Sequence, residues 1–101
     1  MQIVKQQDGA TLCLKIEGRI DTTTAPALEQ ELKLSITDAV QTLILDFDQV
    51  AYISSAGLRV LLATQKIMKR QGQLIVRNVN DTVMEVFEIT GFVDILTSEE
   101  N

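Results

Sequence analysis

Short apolar runs that alternate with helical patterns constrain the fold of this 101-residue chain more than any other feature. The runs at residues 43–45 and 74–76 have the length of buried strands, and a segment with apolar residues at helical spacing follows each of them. Strands that alternate with helices favour parallel pairing through right-handed crossovers. The run at residues 43–45 therefore predicts a central strand that is covered on both faces of a sheet.

The N-terminal segment predicts a β-hairpin. Residues 3–7 and 11–17 flank an Asp-Gly pair, which suits a two-residue turn because both turn positions need positive φ. From Leu12 to Ile16 every second residue is apolar, as in a strand with one buried face. We expect that face to point toward the core.

The first predicted helix begins at residues 22–25, where we expect a threonine cap, and it has Pro26 in its first turn. Leu28, Leu32 and Ile36 follow at spacings of four. This spacing predicts a single apolar stripe that packs on the sheet.

The second predicted helix covers residues 55–71, after a loop predicted at residues 49–54. Its predicted buried stripe consists of Leu58, Val60, Leu61, Leu62, Ala63 and Ile67. A third helix is predicted to open at Asn80 and to end at Gly91, and a last short element is predicted at residues 93–96. The resulting order is β-β-α-β-α-β-α, which indicates one mixed α/β domain.

Composition limits the classes of function. Nine basic and fourteen acidic residues give a net charge of −5, which argues against a nucleic-acid or anionic-membrane partner because phosphate neutralisation needs clustered Lys and Arg. The chain has no histidine and one cysteine, Cys13, so it lacks the usual general base and cannot form an internal disulfide or a Cys-based metal site. Because most enzyme classes lose support without a histidine, we expect a protein that is not an enzyme and needs no cofactor. Because the sequence contains neither a secretory signal nor an apolar span, we expect it to be cytoplasmic.

Ser54 and Ser55 stand where the second predicted helix begins. The first turn of a helix has N–H groups without internal partners and a positive dipole end, so an anion there is stabilised. The position therefore suits a phosphoserine, although the same residues would serve as a plain helix cap worth about 0.5–2 kcal/mol. Local chemistry leaves both interpretations open.

Five segments carry a resemblance to a known family: Gly18-x-Ile20-Asp21-x-x-Thr24-Ala25, residues 43–47 (Leu-Ile-Leu-Asp-Phe), residues 52–61 (Tyr-Ile-Ser-Ser-Ala-Gly-Leu-Arg-Val-Leu), residues 78–80 (Asn-Val-Asn) and residues 86–92 (Val-Phe-x-x-Thr-Gly-Phe). In this order and spacing they resemble the STAS family of anti-sigma-factor antagonists along nearly the whole chain. The resemblance implies a STAS fold, a mixed four- to five-stranded β-sheet packed with α-helices, in a single domain over residues 1–101.

The resemblance also implies partner switching in a bacterial signalling pathway. In that scheme the unphosphorylated protein binds a serine kinase of the histidine-kinase-ATPase fold, which is also the anti-sigma factor, and thereby releases the sigma factor. Phosphorylation of one serine breaks the complex, and a PP2C-type phosphatase reverses the modification. The alternative is a STAS scaffold subunit that is not phosphorylated and belongs to a transport or stress-signalling complex.

Matched residue by residue, the phosphorylated serine of the family falls on Ser55, and the acid near it falls on Asp21. Many members of the family carry Asp immediately before the phosphorylated serine, whereas this chain has Ser54 there. Because Ser54 is a second hydroxyl next to Ser55, it is the second candidate for phosphorylation. The residues expected to contact the partner are Asp21, Thr22, Thr23, Ser54, Ser55, Ala56, Gly57 and Arg59.

Other residues have competing interpretations. Arg59, Lys66 and Arg70 recur at helical spacing and form either a solvated helix face or a basic stripe that meets an acidic partner. Asp46 ends a predicted strand, and we interpret it as a hydrogen-bond acceptor, not as the phosphate-accepting acid of a receiver domain. Met84 and Ile89, off the inward stripe of the third helix, are weaker candidates for partner contacts, and we assign them to packing first.

Overall fold

The computed structural model describes residues 1–94, which contain four strands and three helices in the predicted order. The elements are β1 (Gln2–Asp8), β2 (Thr11–Ile20), α1 (Ala25–Ser35), β3 (Thr42–Ile53), α2 (Ser55–Gln71), β4 (Gln73–Arg77) and α3 (Asp81–Thr90). Residues 92–94 are also helical, and the rest of the short element predicted at 93–96 lies outside the described residues. Nowhere in residues 1–94 is a helix long and apolar enough to cross a membrane.

The four strands form one mixed sheet in the order β1-β2-β3-β4, which confirms the predicted α/β class. β1 pairs with β2 antiparallel as the predicted hairpin, but Asp8 pairs with Thr11, so the turn consists of Gly9 and Ala10 and not of the predicted Asp-Gly pair. β2 with β3 and β3 with β4 pair parallel. The two parallel connections run through α1 and α2. Right-handed crossovers between strands in sequential order place their helices on the same face of a sheet.

The sheet is buried on one face. Leu43, Leu45 and Phe47 of β3 are fully buried, whereas Ile44 and Asp46 between them are partly exposed. The prediction that residues 43–45 form a strand covered on both faces is therefore wrong. The sequential strand order explains the difference, because it sends both crossover helices to one side.

β3 is longer than the sequence indicated. The loop predicted at residues 49–54 is wrong, since β3 continues to Ile53, where its last residues pair with the end of β2. Register shifts on either side of Glu17 and Gly18 let the two strands stay paired. Residues 49–53 (Gln-Val-Ala-Tyr-Ile) thus belong to the strand because they pair with β2, which is distant along the chain.

α2 buries only part of its predicted stripe, with Leu58, Val60 and Leu61 buried as predicted. Ala63 and Ile67 are exposed, and Thr64, Gln65 and Met68 are buried in their place. Thr64 can be buried because its hydroxyl donates a hydrogen bond to the carbonyl of its own helix four residues back, at 2.8 Å. The helix is thus rotated relative to a face chosen by hydropathy alone.

Three phenylalanines connect the helical layer to the sheet. The ring of Phe87 on α3 lies 6.3 Å from that of Phe47 on β3 and 4.9 Å from that of Phe92, measured between centroids. All three side chains are buried. On the same helix Ile89 is 77% exposed, so its assignment to packing is wrong.

We expect Phe87→Ala to lower the free energy of unfolding by about 3–5 kcal/mol, because it removes a buried ring from between two others. The matched control is Ile89→Ala on the same helix, which should change stability by less than about 0.5 kcal/mol. Urea denaturation followed by circular dichroism measures both. Equal effects of the two substitutions would contradict the observed packing of α3.

Candidate functional site

The candidate site forms where the parallel strands β2 and β3 end at the same edge of the sheet. The backbone N–H of Ser54 donates a hydrogen bond to the carbonyl of Ile20, at 2.8 Å. Asp21 follows Ile20 directly, and Ser55 follows Ser54. The pairing therefore brings together the two segments that carry the predicted acid and the predicted serines.

The two serines have different structural roles. Ser54 is the N-cap of α2, and its hydroxyl oxygen accepts a hydrogen bond from the N–H of Gly57, at 3.3 Å. Ser55 is the first helical residue, and its side chain is exposed. Among the residues that the structure describes, none forms a side-chain hydrogen bond with Ser55. The cap is thus supplied by one serine, which leaves the hydroxyl of the other available.

Gly57 allows the first turn of α2 to approach the sheet closely. A Cβ atom at this position would lie 2.6 Å from Cγ2 of Ile20 and 2.8 Å from Cγ1 of Ile53. Both isoleucines are buried and sit at the ends of the paired strands. Glycine is required here by close packing, which holds the serines next to the end of β2.

Asp21 organises the turn that leads into α1. Its Oδ1 accepts hydrogen bonds from the hydroxyl of Thr23 at 2.7 Å, from the N–H of Thr23 at 3.0 Å and from the N–H of Thr24 at 3.1 Å. Thr24 occupies the N-cap position but makes no side-chain cap, so the predicted threonine cap is wrong. These hydrogen bonds, that of the Thr23 hydroxyl first, lower the pKa of Asp21.

Arg19 and Tyr52 extend the site, although neither was predicted from the sequence to be a site residue. The guanidinium of Arg19 lies 4.8 Å from the ring centroid of Tyr52 and, through Nε, 3.8 Å from Oδ2 of Asp21. Arg19 and Tyr52 are partners in the parallel pairing of β2 with β3. Their contact follows from the strand register, which places the Arg19 cation over the Tyr52 ring and which could not be predicted from the sequence.

An open groove of about 240 Å³ runs between the first turns of α1 and α2, beside Ser55. Its lining residues are Thr22, Ala25, Pro26, Glu29, Ala56, Arg59 and Val60. Three of the residues expected to contact a partner thus line one surface feature. Thr23 is exposed and lies on the Asp21 turn, outside this lining.

Asp46 is engaged in contacts of its own at the open face of the sheet. Its Oδ1 accepts hydrogen bonds from the side-chain amide of Asn78 and from the N–H of Asp48, both at 3.0 Å, and Oδ2 lies 3.6 Å from Arg77. The hydrogen bond from Asn78 is the main cause of its lowered pKa. These contacts agree with the interpretation of Asp46 as a hydrogen-bond acceptor, but Asp46 lies within β3 and not at the end of the strand, as the sequence had indicated.

Comparison with known proteins identifies relatives over most of the chain. The sequence matches the family profile described as STAS domain over residues 2–101. BtrV of Bordetella bronchiseptica, named as a candidate anti-sigma factor antagonist, is 34% identical over 94% of this chain and 83% of its own length. The anti-sigma-B factor antagonist of Listeria monocytogenes is 31% identical over 92% of this chain and 82% of its own length.

A solved structure shares the fold. SpoIIAA, a cell fate determinant of Bacillus whose structure was determined in the phosphorylated form, superposes with a TM-score of 0.74. The alignment covers 92% of this chain and 86% of that chain at 20% identity. At this identity the likeness supports the arrangement of strands and helices.

Substitution of Gly57 by Ala should lower the free energy of unfolding by about 1–2 kcal/mol, because overpacking against two buried isoleucines exceeds the gain in helix propensity. Ser55→Ala, at an exposed position in the same turn, is the control and should change stability by less than about 0.5 kcal/mol. Chemical denaturation compares the two. Unchanged stability in Gly57→Ala would mean that α2 is not held against the sheet at this point.

Acidification should remove a stabilising contribution of Asp21. A carboxyl group whose pKa is lowered on folding stabilises the protein at pH values above its unfolded-state pKa, which is near 3.8 for Asp. This contribution is lost as the pH falls through the lower pKa of the folded state. The urea midpoint of Asp21→Asn should therefore be lower than that of the wild type at pH 7, with a smaller further fall below pH ~4. Asp8→Asn, at the exposed end of β1, is the control. A wild-type-like profile for Asp21→Asn would contradict the role of the turn that precedes α1.

Proposed function

The chain belongs to the STAS domain family, and on this premise we propose that it is an anti-sigma factor antagonist whose partner binding is switched by phosphorylation of Ser55. The names of its relatives support the coarser part of the proposal, since two that are more than 30% identical carry the name of anti-sigma factor antagonist or candidate antagonist. The switch and its site rest on the geometry of the first turn of α2.

The single observation that carries the choice of Ser55 is the division of roles between the two serines. The hydroxyl of Ser54 is held as the cap of α2, whereas that of Ser55 is exposed at the adjacent position. A kinase must reach the hydroxyl oxygen without unmaking a structural hydrogen bond, and Ser55 meets this condition. The geometry supports Ser55 over Ser54.

A phosphate on Ser55 is compatible with the folded protein. Phosphorylation adds about −1.5 to −2 charge units, and the positive end of a helix stabilises such a charge. The modification therefore acts on the complex instead of the fold. A dianion that lost its water at an interface without a cationic partner would be costly, and a loss of about 3–4 kcal/mol weakens binding about a hundred- to a thousandfold.

The proposed contact surface surrounds Ser55. It comprises the Asp21 turn with Thr22 and Thr23 on one side, and Ala56 and Arg59 on the other, with the groove between them. Ser54 and Gly57 contribute by holding the turn in position. A surface with a central groove and a modifiable hydroxyl on its rim suits a protein partner that both binds and phosphorylates it.

The proposed partners follow from the resemblance to the family. One is a serine kinase of the histidine-kinase-ATPase fold that also acts as the anti-sigma factor, and the other is a PP2C-type phosphatase that removes the phosphate. Binding of the unphosphorylated chain to the kinase would free the kinase's other ligand. The chain itself contributes a binding surface and an acceptor hydroxyl to this cycle.

Intact-mass spectrometry tests the switch. The purified chain is mixed with its cognate kinase and ATP as wild type, Ser54→Ala and Ser55→Ala. We expect one added phosphate on the wild type and on Ser54→Ala, and none on Ser55→Ala. The phosphorylated wild type should bind the kinase at least about a hundredfold more weakly and keep its far-UV circular dichroism spectrum.

Other outcomes would overturn parts of the proposal. Phosphate lost only in Ser54→Ala would move the site to the neighbouring serine. No phosphate on the wild type, with a kinase that is active on another substrate, would favour a STAS scaffold that is not phosphorylated. Loss of the far-UV circular dichroism signal after phosphorylation would mean that the modification acts by changing the fold.

A further inference from the structure

The basic residues of the chain are concentrated on α2. This helix contains four of the nine Lys and Arg residues of the chain and no Asp or Glu, whereas all fourteen acidic residues lie elsewhere. A protein with a net charge of −5 thus has a strongly polarised surface. The helix dipole accounts for Lys69 and Arg70, which lie in the last turn, but not for Arg59 and Lys66 nearer the N-terminus of the helix.

Three of these residues form a line that begins at the proposed phosphorylation site. With about 3.6 residues per turn, Ser55 and the three basic residues Arg59, Lys66 and Arg70 fall within about 60° of one another around the helix axis. All four side chains are exposed, and the line extends about 22 Å at about 1.5 Å per residue. We call Arg59, Lys66 and Arg70 the basic ridge.

The basic ridge is not used inside the molecule. In the part of the chain that the structure describes, ion pairs join Arg19 to Asp21, Lys33 to Glu29 and Arg77 to Asp46. None of these pairs involves the ridge. The buried stripe of α2 lies on the opposite side of the helix, so the packing of the core does not account for the position of the three cations.

Two exposed residues give the ridge the character of a docking surface. Ala63 stands at its middle and Ile67 lies beside it, 37% exposed, where hydropathy had assigned both to the core. At its N-terminal end Arg59 lines the groove next to Ser55. The ridge is therefore continuous with the surface that was proposed above to contact the kinase.

We propose that the basic ridge is an electrostatic docking surface for an acidic surface of the kinase that modifies Ser55. This inference rests on the proposed function and adds the chemistry of the partner. Complementary charge raises association rates, and a phosphate on Ser55 would add about −1.5 to −2 charge units one helical turn from Arg59. Phosphorylation then subtracts charge from the same surface that attracts the partner.

An acidic protein surface fits the ridge better than a nucleic acid or a membrane. Only three exposed cations are aligned, and the remainder of the chain carries five basic and fourteen acidic residues, which would repel a polyanion of larger extent. A protein partner can match the ridge locally and avoid the acidic remainder. The competing ligands are separate outcomes of the test.

The test measures association of the kinase with wild type and with the single reversals Arg59→Glu, Lys66→Glu and Arg70→Glu, by stopped flow at several salt concentrations. Lys5→Glu, on the exposed strand β1, is the control with the same change of net charge. Each ridge reversal should slow association about three- to tenfold at low ionic strength, and the difference should vanish near ~1 M salt. Lys5→Glu should stay within about twofold of wild type.

If the ridge variants associate with the kinase as fast as Lys5→Glu does, while the kinase still binds and phosphorylates the wild type, the docking role of the ridge is wrong and the proposed function stands. If the kinase does not bind the wild type at all, the proposed function fails. A second probe then tests whether the ridge binds an acidic ligand. In a titration with a glutamate peptide of about six residues, which is no longer than the ridge, followed by amide NMR, the ridge predicts shifts along α2 that are lost in Lys66→Glu; shifts elsewhere, or none, overturn it.

The same variants separate the competing ligands. Binding to phosphatidylglycerol vesicles or to a DNA duplex that is as strong as binding to the short glutamate peptide, and that is lost in Lys66→Glu, would overturn the assignment to an acidic protein surface. We expect neither vesicles nor DNA to bind the wild type at physiological ionic strength, because the net charge of the chain is −5. Circular dichroism of each variant checks that the fold is retained.

Discussion

The parallel pairing of β2 with β3 holds both halves of the candidate site, because it brings the carboxyl ends of the two strands to one edge of the sheet. The last pairs join Arg19 to Tyr52 and Ile20 to Ile53, and the N–H of Ser54 continues the pairing to the carbonyl of Ile20. Without this register the Asp21 turn and the serines would be separate loops. The site is thus a direct continuation of the sheet.

Packing at Gly57 turns this backbone geometry into a rigid surface. The absent side chain lets the first turn of α2 rest on the two terminal isoleucines of the paired strands, and Ser54 closes the turn as its cap. Ser55 is then left on the outer side of the helix. A modifiable hydroxyl on a fixed scaffold suits a switch that changes charge and leaves the fold in place.

Burial on one face of the sheet gives the molecule two unlike surfaces. Helices cover one side, so their outward faces are available for partners, and α2 presents Ser55 and the basic ridge on the same exposed arc. The open side of the sheet carries its own ion pairs, such as that of Asp46 with Arg77. The candidate site lies on the helical side because its residues follow strands that end beside α1 and α2.

The sequence by itself determined the order of strands and helices, the hairpin, the start of α2 at the serines, the Asn80 cap and the end of α3 at Gly91, since each depends on periodicity or on chemistry within a few residues. Only the tertiary structure decided the full length of β3, the buried stripe of α2 and the hydrogen bonds of Asp21. It also separated the cap from the exposed serine. These features depend on strand register and on helix rotation against the sheet, which bring together residues that are far apart in the chain.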